Sequence, residues 1–187
     1  MPRLWINGIT SEPAKTFHNL FYLIMPIDSN LFRQVMSRFA TGITIVTTRA
    51  GETIHGLTVN SFCSVSLDPP LVLICVDKRA HSHDLIVQGG NFAVNFLTAT
   101  QEEIARRFAT NNLPASKRFA GVQFRTEVTG APIFDESLGW LDCQLFATYP
   151  GGDHSIFVGE VVALGQTQEQ TPLLYFRSTY QKLDPVF

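Results

Sequence analysis

The sequence is poor in charge and in cysteine. Charged residues make up only 16% of the 187 residues and the formal net charge is -2, so the chain lacks the basic field that holds a nucleic acid. The three cysteines are far apart, with no CxxC pair and no histidine at metal-ligand spacing. We therefore predict no metal site, no nucleic-acid partner, and buried thiols in a reducing cytoplasm.

Long hydrophobic runs and common nucleotide motifs are missing too. The longest apolar run near the start, LFYLIM, is too short to cross a bilayer, and no cleavage pattern follows it. This predicts a cytoplasmic protein without a membrane segment. Neither GxGxxG nor GxxxxGK[ST] occurs, and no pair of carboxylates suggests an acid and a base.

Hydrophobic residues, in contrast, are plentiful. They make up 45% of the chain, enough for one domain with a full core. We predict an N-terminal extension at residues 1–28 and one domain at residues 29–187. The combination of much apolar and little charged surface predicts a homo-oligomer.

The order of patterns along the chain predicts a mainly β protein. Asp28 or Ser29 can cap a helix whose apolar residues recur at helical spacing, with Gly42 at its end. Seven or more strands follow, mostly joined by hairpin-length turns, without strand–helix–strand alternation. This favours an antiparallel barrel over a doubly wound sheet. Residues 111–137, rich in proline and glycine, are predicted to form a lid or an irregular excursion.

The stretch GLTVNSFCSVSLDPPLVLICVDKRAHSHDL, Gly56 to Leu85, carries the strongest candidate site. Its first strands place small polar side chains on one face, and LVLICV predicts a strand buried on both faces. A basic turn then opens a helix, where cations and free N–H groups attract phosphate. The pattern predicts a shelf for a planar ligand followed by an anion pocket. It equally fits a wet sheet face and a solvated basic turn.

Of the histidines, His154 is the one candidate for chemistry. It follows Gly151, Gly152 and Asp153 at the entry to a strand, where a turn can present an imidazole to a cleft. The alternative is an exposed turn histidine. His55, His81 and His83 have no nucleophile or carboxylate at a telling distance, and we expect His81 and His83 to lie on the surface.

Four stretches in order resemble the flavin reductase family, which has the FMN-binding split-barrel fold and includes the reductase components of two-component monooxygenases. These are RFATGITIVTT, the central stretch above, NFAVNFL, and GDHSIFVGEV followed by PLLYFRSTY. The resemblance covers about residues 31 to 183.

The resemblance implies a mainly β fold, an antiparallel six-stranded Greek-key split barrel with a few flanking helices, in a homodimer that binds FMN or FAD near the subunit interface. Carried over by position, three groups of residues would form the site. The isoalloxazine edge and ring would contact Thr58, Asn60, Ser61 and Ser64; the phosphate would contact Lys78, Arg79 and Ser82; and His154 would lie near the nicotinamide.

The implied activity is an NAD(P)H-dependent flavin reductase, which passes hydride from NADH or NADPH to FMN or FAD and supplies a partner monooxygenase. Two alternatives remain open. One is a flavoprotein that keeps its FMN and reduces another acceptor such as a corrin. The other is a flavin- or haem-binding split barrel without turnover.

Overall fold

A computed structural model describes residues 26–167 and 171–183 of the chain. Most of the predicted extension, residues 1–25, lies outside the described residues, so the boundary at residue 28 stays a prediction. The helices are α1 (Ser29–Met36), α2 (His81–Gly89), α3 (Glu102–Phe108) and α4 (Ala115–Arg118). The strands are β1 (Thr41–Gly42), β2 (Thr44–Ala50), β3 (Thr53–Val59), β4 (Phe62–Leu67), β5 (Pro70–Asp77), β6 (Asn91–Phe96), β7 (Phe124–Arg125), β8 (Ile133–Phe134), β9 (Gly139–Gly151), β10 (His154–Gln166), β11 (Leu173–Phe176) and β12 (Thr179–Lys182).

The main sheet has seven strands in the order β3-β2-β6-β9-β10-β5-β4, one more than the family resemblance implied. Its neighbouring strands all pair antiparallel. The strand β3 at one edge also approaches β5 near the other edge, and α2 packs against both. The prediction of a mainly β, antiparallel split barrel with a few helices is confirmed.

Two large hydrophobic clusters and a small third one fill the part of the chain that the structure describes. One lies inside the curled sheet and includes Ile74, Phe92 and Phe157. The other lies between the sheet and α3, and it includes Phe108 and Phe134. The second cluster also takes residues from the stretch 111–137. Phe119 and Phe134 of that stretch are buried and Phe124 is half-buried. The stretch is therefore an irregular excursion packed into the core, and not the predicted lid.

The strand β5 differs from the prediction of burial on both faces. Val72, Ile74 and Val76 are buried, whereas the alternate residues Leu71 and Leu73 are only half-buried. The continuous apolar run therefore covers a core on one face only. On its other face the described chain leaves apolar surface open.

The cysteines were predicted to be buried, and for two of them this is wrong. Cys143 is buried, Cys75 is half-buried and Cys63 is exposed on β4. Burial raises the pKa of Cys143 to about 12. The period-two pattern correctly placed Cys63 on the apolar face of β4, but that face lies outside the barrel.

The first helix has its predicted start but a different end. The carboxylate of Asp28 accepts hydrogen bonds from the backbone N–H groups of Asn30 (2.6 Å) and Leu31 (3.0 Å), which is a regular N-cap. The helix ends at Met36, and Gly42 belongs to β1 instead. None of the residues of α1 is buried, so the described chain leaves at least half of each of its large apolar side chains exposed.

No helix in the described ranges is both long and apolar enough to cross a bilayer.

Candidate functional site

The predicted shelf lies at the end of β3 and the start of β4. The hydroxyl of Thr58 donates to the carbonyl of Ala105 at 2.6 Å, and that of Ser61 donates to the carbonyl of Cys75 at 2.9 Å. Asn60 is exposed, and its amide donates weakly to the Thr41 hydroxyl at 3.4 Å. Ser64 is exposed on β4, farther along the same edge. Both bonded hydroxyls therefore keep their oxygens free as acceptors.

An apolar cavity of about 400 Å³ opens beside Asn60. Cavities of this size accommodate small ligands. Its walls come from both clusters of the fold and from the chain just after α1. The lining residues are Phe39, Ala40, Thr41, Gly42, Ile43, Thr44, Asn60, Phe62, Phe96, Leu97, Leu138, Pro172 and Leu173. Sequence periodicity did not reveal this cavity, because residues far apart in the chain form it.

His154, Lys78 and Arg79 meet at the tip of the β9–β10 hairpin. Antiparallel pairing places His154 directly opposite Asp77 on β5. The Arg79 guanidinium donates two hydrogen bonds to the Asp77 carboxylate, at 3.1 and 2.7 Å. These bonds hold the pKa of Asp77 well below its usual range. The Lys78 ammonium donates to the carbonyl of Gly152 at 2.6 Å. The two cations predicted for phosphate are thus engaged with hairpin and strand groups.

Ser82, the third residue predicted for phosphate, faces a different neighbour. It is fully buried in the first turn of α2, and its hydroxyl lies 2.6 Å from Nδ1 of His55. The ring of His81 stands edge-on to that of His55, with centroids 5.0 Å apart. The N-cap residue Ala80 offers no side-chain bond, so the N–H groups of this first turn have no side-chain acceptor.

Arg118 brings positive charge close to His55, the ring that Ser82 contacts. Burial lowers the pKa of His55 to about 4, with smaller contributions from Arg118 and His81. Arg118 is 3% exposed and donates to the carbonyls of Phe108 and Thr110. Sequence analysis missed both His55 and Arg118, because only tertiary packing brings residues 55, 82 and 118 together.

His83 is half-buried, which corrects its predicted surface position. Nδ1 lies 3.1 Å from the carboxylate of Asp84, and Nε2 lies 2.9 Å from the hydroxyl of Ser155. Its ring also packs against Phe157 at 5.2 Å. His83 thus anchors α2 to β10, whereas His81 is exposed as expected.

The predicted residues therefore form three adjoining groups. The shelf lies where β3 approaches β5, and the hairpin tip lies at the end of β5. The helix α2 packs against both β3 and β5. In the described residues no group of three or more histidine, cysteine or acidic side chains could hold a metal ion. What the arrangement offers is hydrogen-bond acceptors, an apolar cavity and positive charge, which suit a planar ligand with an anionic tail.

Comparison with known proteins identifies close relatives. The model of the flavin reductase like domain matches residues 36–184. The chain is 39% identical over 182 residues to the NADH-dependent FAD reductase of Streptomyces globisporus, covering 96% of each. It is 37% identical over 161 residues to the reductase subunit HsaB of a flavin-dependent monooxygenase from Mycobacterium tuberculosis, covering 85% of this chain and 84% of that protein.

Solved structures agree. The NADH:FAD oxidoreductase SgcE6 of Streptomyces globisporus superposes with a TM-score of 0.80 at 39% identity, covering 87% of this chain and 98% of that one. The same protein has been solved in complex with NAD and FAD fragments, again with a TM-score of 0.80 and 38% identity, over 88% of this chain and 98% of that one. Component B of nitrilotriacetate monooxygenase from Mycobacterium thermoresistibile also reaches 0.80 at 38% identity, over 85% of this chain and 88% of that one.

Proposed function

The chain belongs to the flavin reductase family, and on that premise we propose that it is an NADH-dependent flavin reductase that supplies reduced FMN or FAD to a partner monooxygenase. The observation that carries this proposal is the match to the family over residues 36–184. NADH is proposed as the donor because two relatives, matched over 96% and 89% of their own lengths, are named for it. We propose that the shelf and the start of α2 bind the flavin and that the hairpin tip orients the nicotinamide.

The shelf fits the polar edge of a flavin. That edge carries one N–H donor between two carbonyl acceptors. Thr58 and Ser61 direct their hydroxyl hydrogens to backbone carbonyls, so their oxygens can accept from the N–H group. The exposed amide of Asn60 can donate to a flavin carbonyl. Ser64, exposed farther along the edge, would lie beside the ring.

The phosphate end is proposed to lie at the start of α2. Its uncapped N–H groups favour an anion, and Ser82 fixes the turn through His55. Lys78 and Arg79 are exposed, and solvent screening leaves an exposed ion pair such as Arg79 with Asp77 weak. An incoming phosphate can therefore draw either cation away from its present partner.

Hydride transfer needs little chemistry from the protein. The flavin, when bound, supplies the acceptor atom N5 for the hydride from nicotinamide C4. The chain must stack the two rings, exclude water and orient the nicotinamide. We assign the orienting role to His154, which is half-buried at the hairpin tip. Because hydride passes directly from the nicotinamide to the flavin, the protein needs no catalytic nucleophile.

We further propose that the enzyme is a homodimer. Leu31, Phe32, Val35 and Met36 of α1 are each 50% exposed or more, and an eight-residue helix is not stable without packing. Burying one large apolar side chain contributes about 1.5 to 3 kcal/mol. A second copy that covers α1 would also close the cavity, because Phe39 lines it just after the helix.

The dimer is tested by light scattering after gel filtration. We expect a dimer for the wild-type protein and a monomer when both Phe32 and Val35 are replaced by serine. Exchange of the exposed Arg33 for serine, on the same helix, serves as the control and should leave the dimer intact. A monomeric wild-type protein would contradict the proposal.

The activity is tested by mixing the purified protein with NADH or NADPH and with FMN or FAD, and following the nicotinamide absorbance. We expect NADH oxidation that depends on added flavin. Flavin that stays with the protein through gel filtration and is reduced there would favour the flavoprotein with another acceptor. Flavin binding without oxidation of either nucleotide would leave only the binding module.

A further inference from the structure

An acid and an imidazole are paired at the turn between β9 and β10. Nδ1 of His154 lies 2.8 Å from Oδ1 of Asp153. This contact is the largest cause that lowers the pKa of Asp153 below its usual value, so the carboxylate is ionised at neutral pH. An ionised carboxylate can only accept a hydrogen bond. The hydrogen of the neutral His154 ring must therefore be on Nδ1.

Backbone contacts hold the turn that carries this pair. The N–H of Lys78 donates to the carbonyl of Asp153 at 3.1 Å, and its ammonium donates to the carbonyl of Gly152 at 2.6 Å. The end of β5 is thereby tied to the turn at two successive residues. The backbone of Asp153 is thus held against the end of β5, and its carboxylate contacts His154.

Asp77 is the other acid beside this histidine, and it cannot play the same part. It stands opposite His154 in the sheet, but both of its oxygens accept from Arg79, at 2.8 to 3.1 Å for Oδ1 and 2.7 Å for Oδ2. The charged groups that face the ring are then Asp77, Lys78 and Arg79 on one side and Asp153 on its own turn. Among these groups, only Asp153 contacts a ring nitrogen.

We propose that Asp153 is a positioning residue for hydride transfer, a role that rests on the proposed flavin reductase activity. By accepting from Nδ1 it holds the neutral ring in one tautomer and one orientation. Nε2 then carries a lone pair and can accept a hydrogen bond from the carboxamide N–H of the nicotinamide. Asp153 itself does not touch the substrate, and it acts only through His154.

This dependence is tested with a double-mutant cycle. Because solvent screens the exposed contact between Asp153 and His154, Asp153→Ala should lower kcat/KM for NADH about threefold to fivefold. The Kd for flavin, measured by fluorescence quenching, should stay unchanged. In a His154→Ala background the same exchange should change kcat/KM by less than about twofold. Glu52→Ala, which removes an exposed acid from the β2–β3 turn, is the matched control and should keep wild-type kinetics.

A second measurement needs no turnover. Nitrogen-detected NMR of the imidazole rings distinguishes the two neutral tautomers, and the His154 signal is assigned by its loss in His154→Ala. We expect the Nδ1–H form in the wild-type protein and the appearance of the Nε2–H form in Asp153→Ala. Because neither side chain is buried, with exposed fractions of 81% for Asp153 and 42% for His154, the variant should fold normally.

The outcomes separate this inference from the activity itself. Equal losses from Asp153→Ala in the wild-type and His154→Ala backgrounds would overturn the inference, as would an unchanged tautomer. A wild-type protein that oxidises no NADH with either flavin would overturn the proposed function. The NMR comparison would then still decide whether Asp153 fixes the tautomer of His154.

Discussion

Acidic pH should lower the stability of the folded protein, because the unfolded chain protonates His55 more readily than the folded protein does. The ring is half-buried between β3 and α2, where it meets the Ser82 hydroxyl at 2.6 Å. Burial is the first cause that lowers the pKa of His55 to about 4, and the charges of Arg118 and His81 add to it. The folded protein therefore resists protonation of this ring at pH values where the unfolded chain accepts the proton readily.

The sign and size of the effect follow from this difference. The pKa of His55 is 6.5 in the unfolded chain and about 4 in the folded protein, so the unfolded state binds more protons between these values. Stability is complete above pH 6.5 and falls as the pH drops toward 4. At about 1.36 kcal/mol per pH unit, full burial would give about 3.4 kcal/mol. Water screens a half-buried ring, so we expect a loss of about 1 to 2 kcal/mol.

Urea unfolding at a series of pH values between 4 and 7 measures this loss. The free energy of unfolding of His55→Gln should depend less on pH than that of the wild-type protein, because glutamine can bond Ser82 but cannot ionise. Exchanging His81 for glutamine removes only the smallest of the three causes, so this control should keep most of the slope. Equal slopes for the wild-type protein and His55→Gln would refute the reasoning.

Two further predictions concern packing. A methyl group at Gly159 would lie 2.7 Å from Cε1 of Phe92, a fully buried ring, so Gly159→Ala should lower the free energy of unfolding by about 1 to 3 kcal/mol. Gly42 has open space around it, so Gly42→Ala should change the stability little. Equal melting temperatures of the two variants would contradict this prediction. Arg118→Met should cost about 2 to 4 kcal/mol in urea unfolding, because it strips buried carbonyls of their donors. The exposed neighbour Lys117 is its matched control, and an equal cost for Lys117→Met would count against the reasoning.

Much of the fold could be predicted because local patterns decide it. The turn at residues 50–52 and the period-two runs define β2 and β3, and Asp28 marks the start of α1. Local patterns do not predict which apolar face of a strand packs against the hydrophobic core. The outward face of β4 leaves Leu67 96% exposed, and the prolines and glycines of residues 111–137 concealed aromatic side chains that fill the second cluster.

For the site, the sequence predicts the parts but not their grouping. Periodicity identifies the polar end of β3 and the basic start of α2, and the family resemblance assigns them to a flavin. The pairing of β10 with β5, which no spacing in the sequence encodes, brings His154 opposite Asp77. The same is true of His55, which reaches Ser82 only because α2 packs on β3.

Because Arg79 is paired with Asp77 in the structure, a binding experiment is needed to test whether Arg79 contacts the flavin phosphate. Asp77 now occupies the guanidinium at 2.7 and 3.1 Å, and its charge repels a phosphate as well. Replacing Asp77 by asparagine removes both effects. Because solvent screens an exposed ion pair, the Kd for FMN should fall about fivefold at most.

Riboflavin, which lacks the phosphate, provides the control for this experiment. Its Kd should not change in Asp77→Asn if the gain comes from the freed Arg79. In a variant that also carries Arg79→Ala, the gain for FMN should shrink to the part due to lost repulsion alone. If the FMN affinity does not change in Asp77→Asn, or if the riboflavin affinity changes equally, the phosphate lies elsewhere, and the uncapped first turn of α2 is the next candidate for its site.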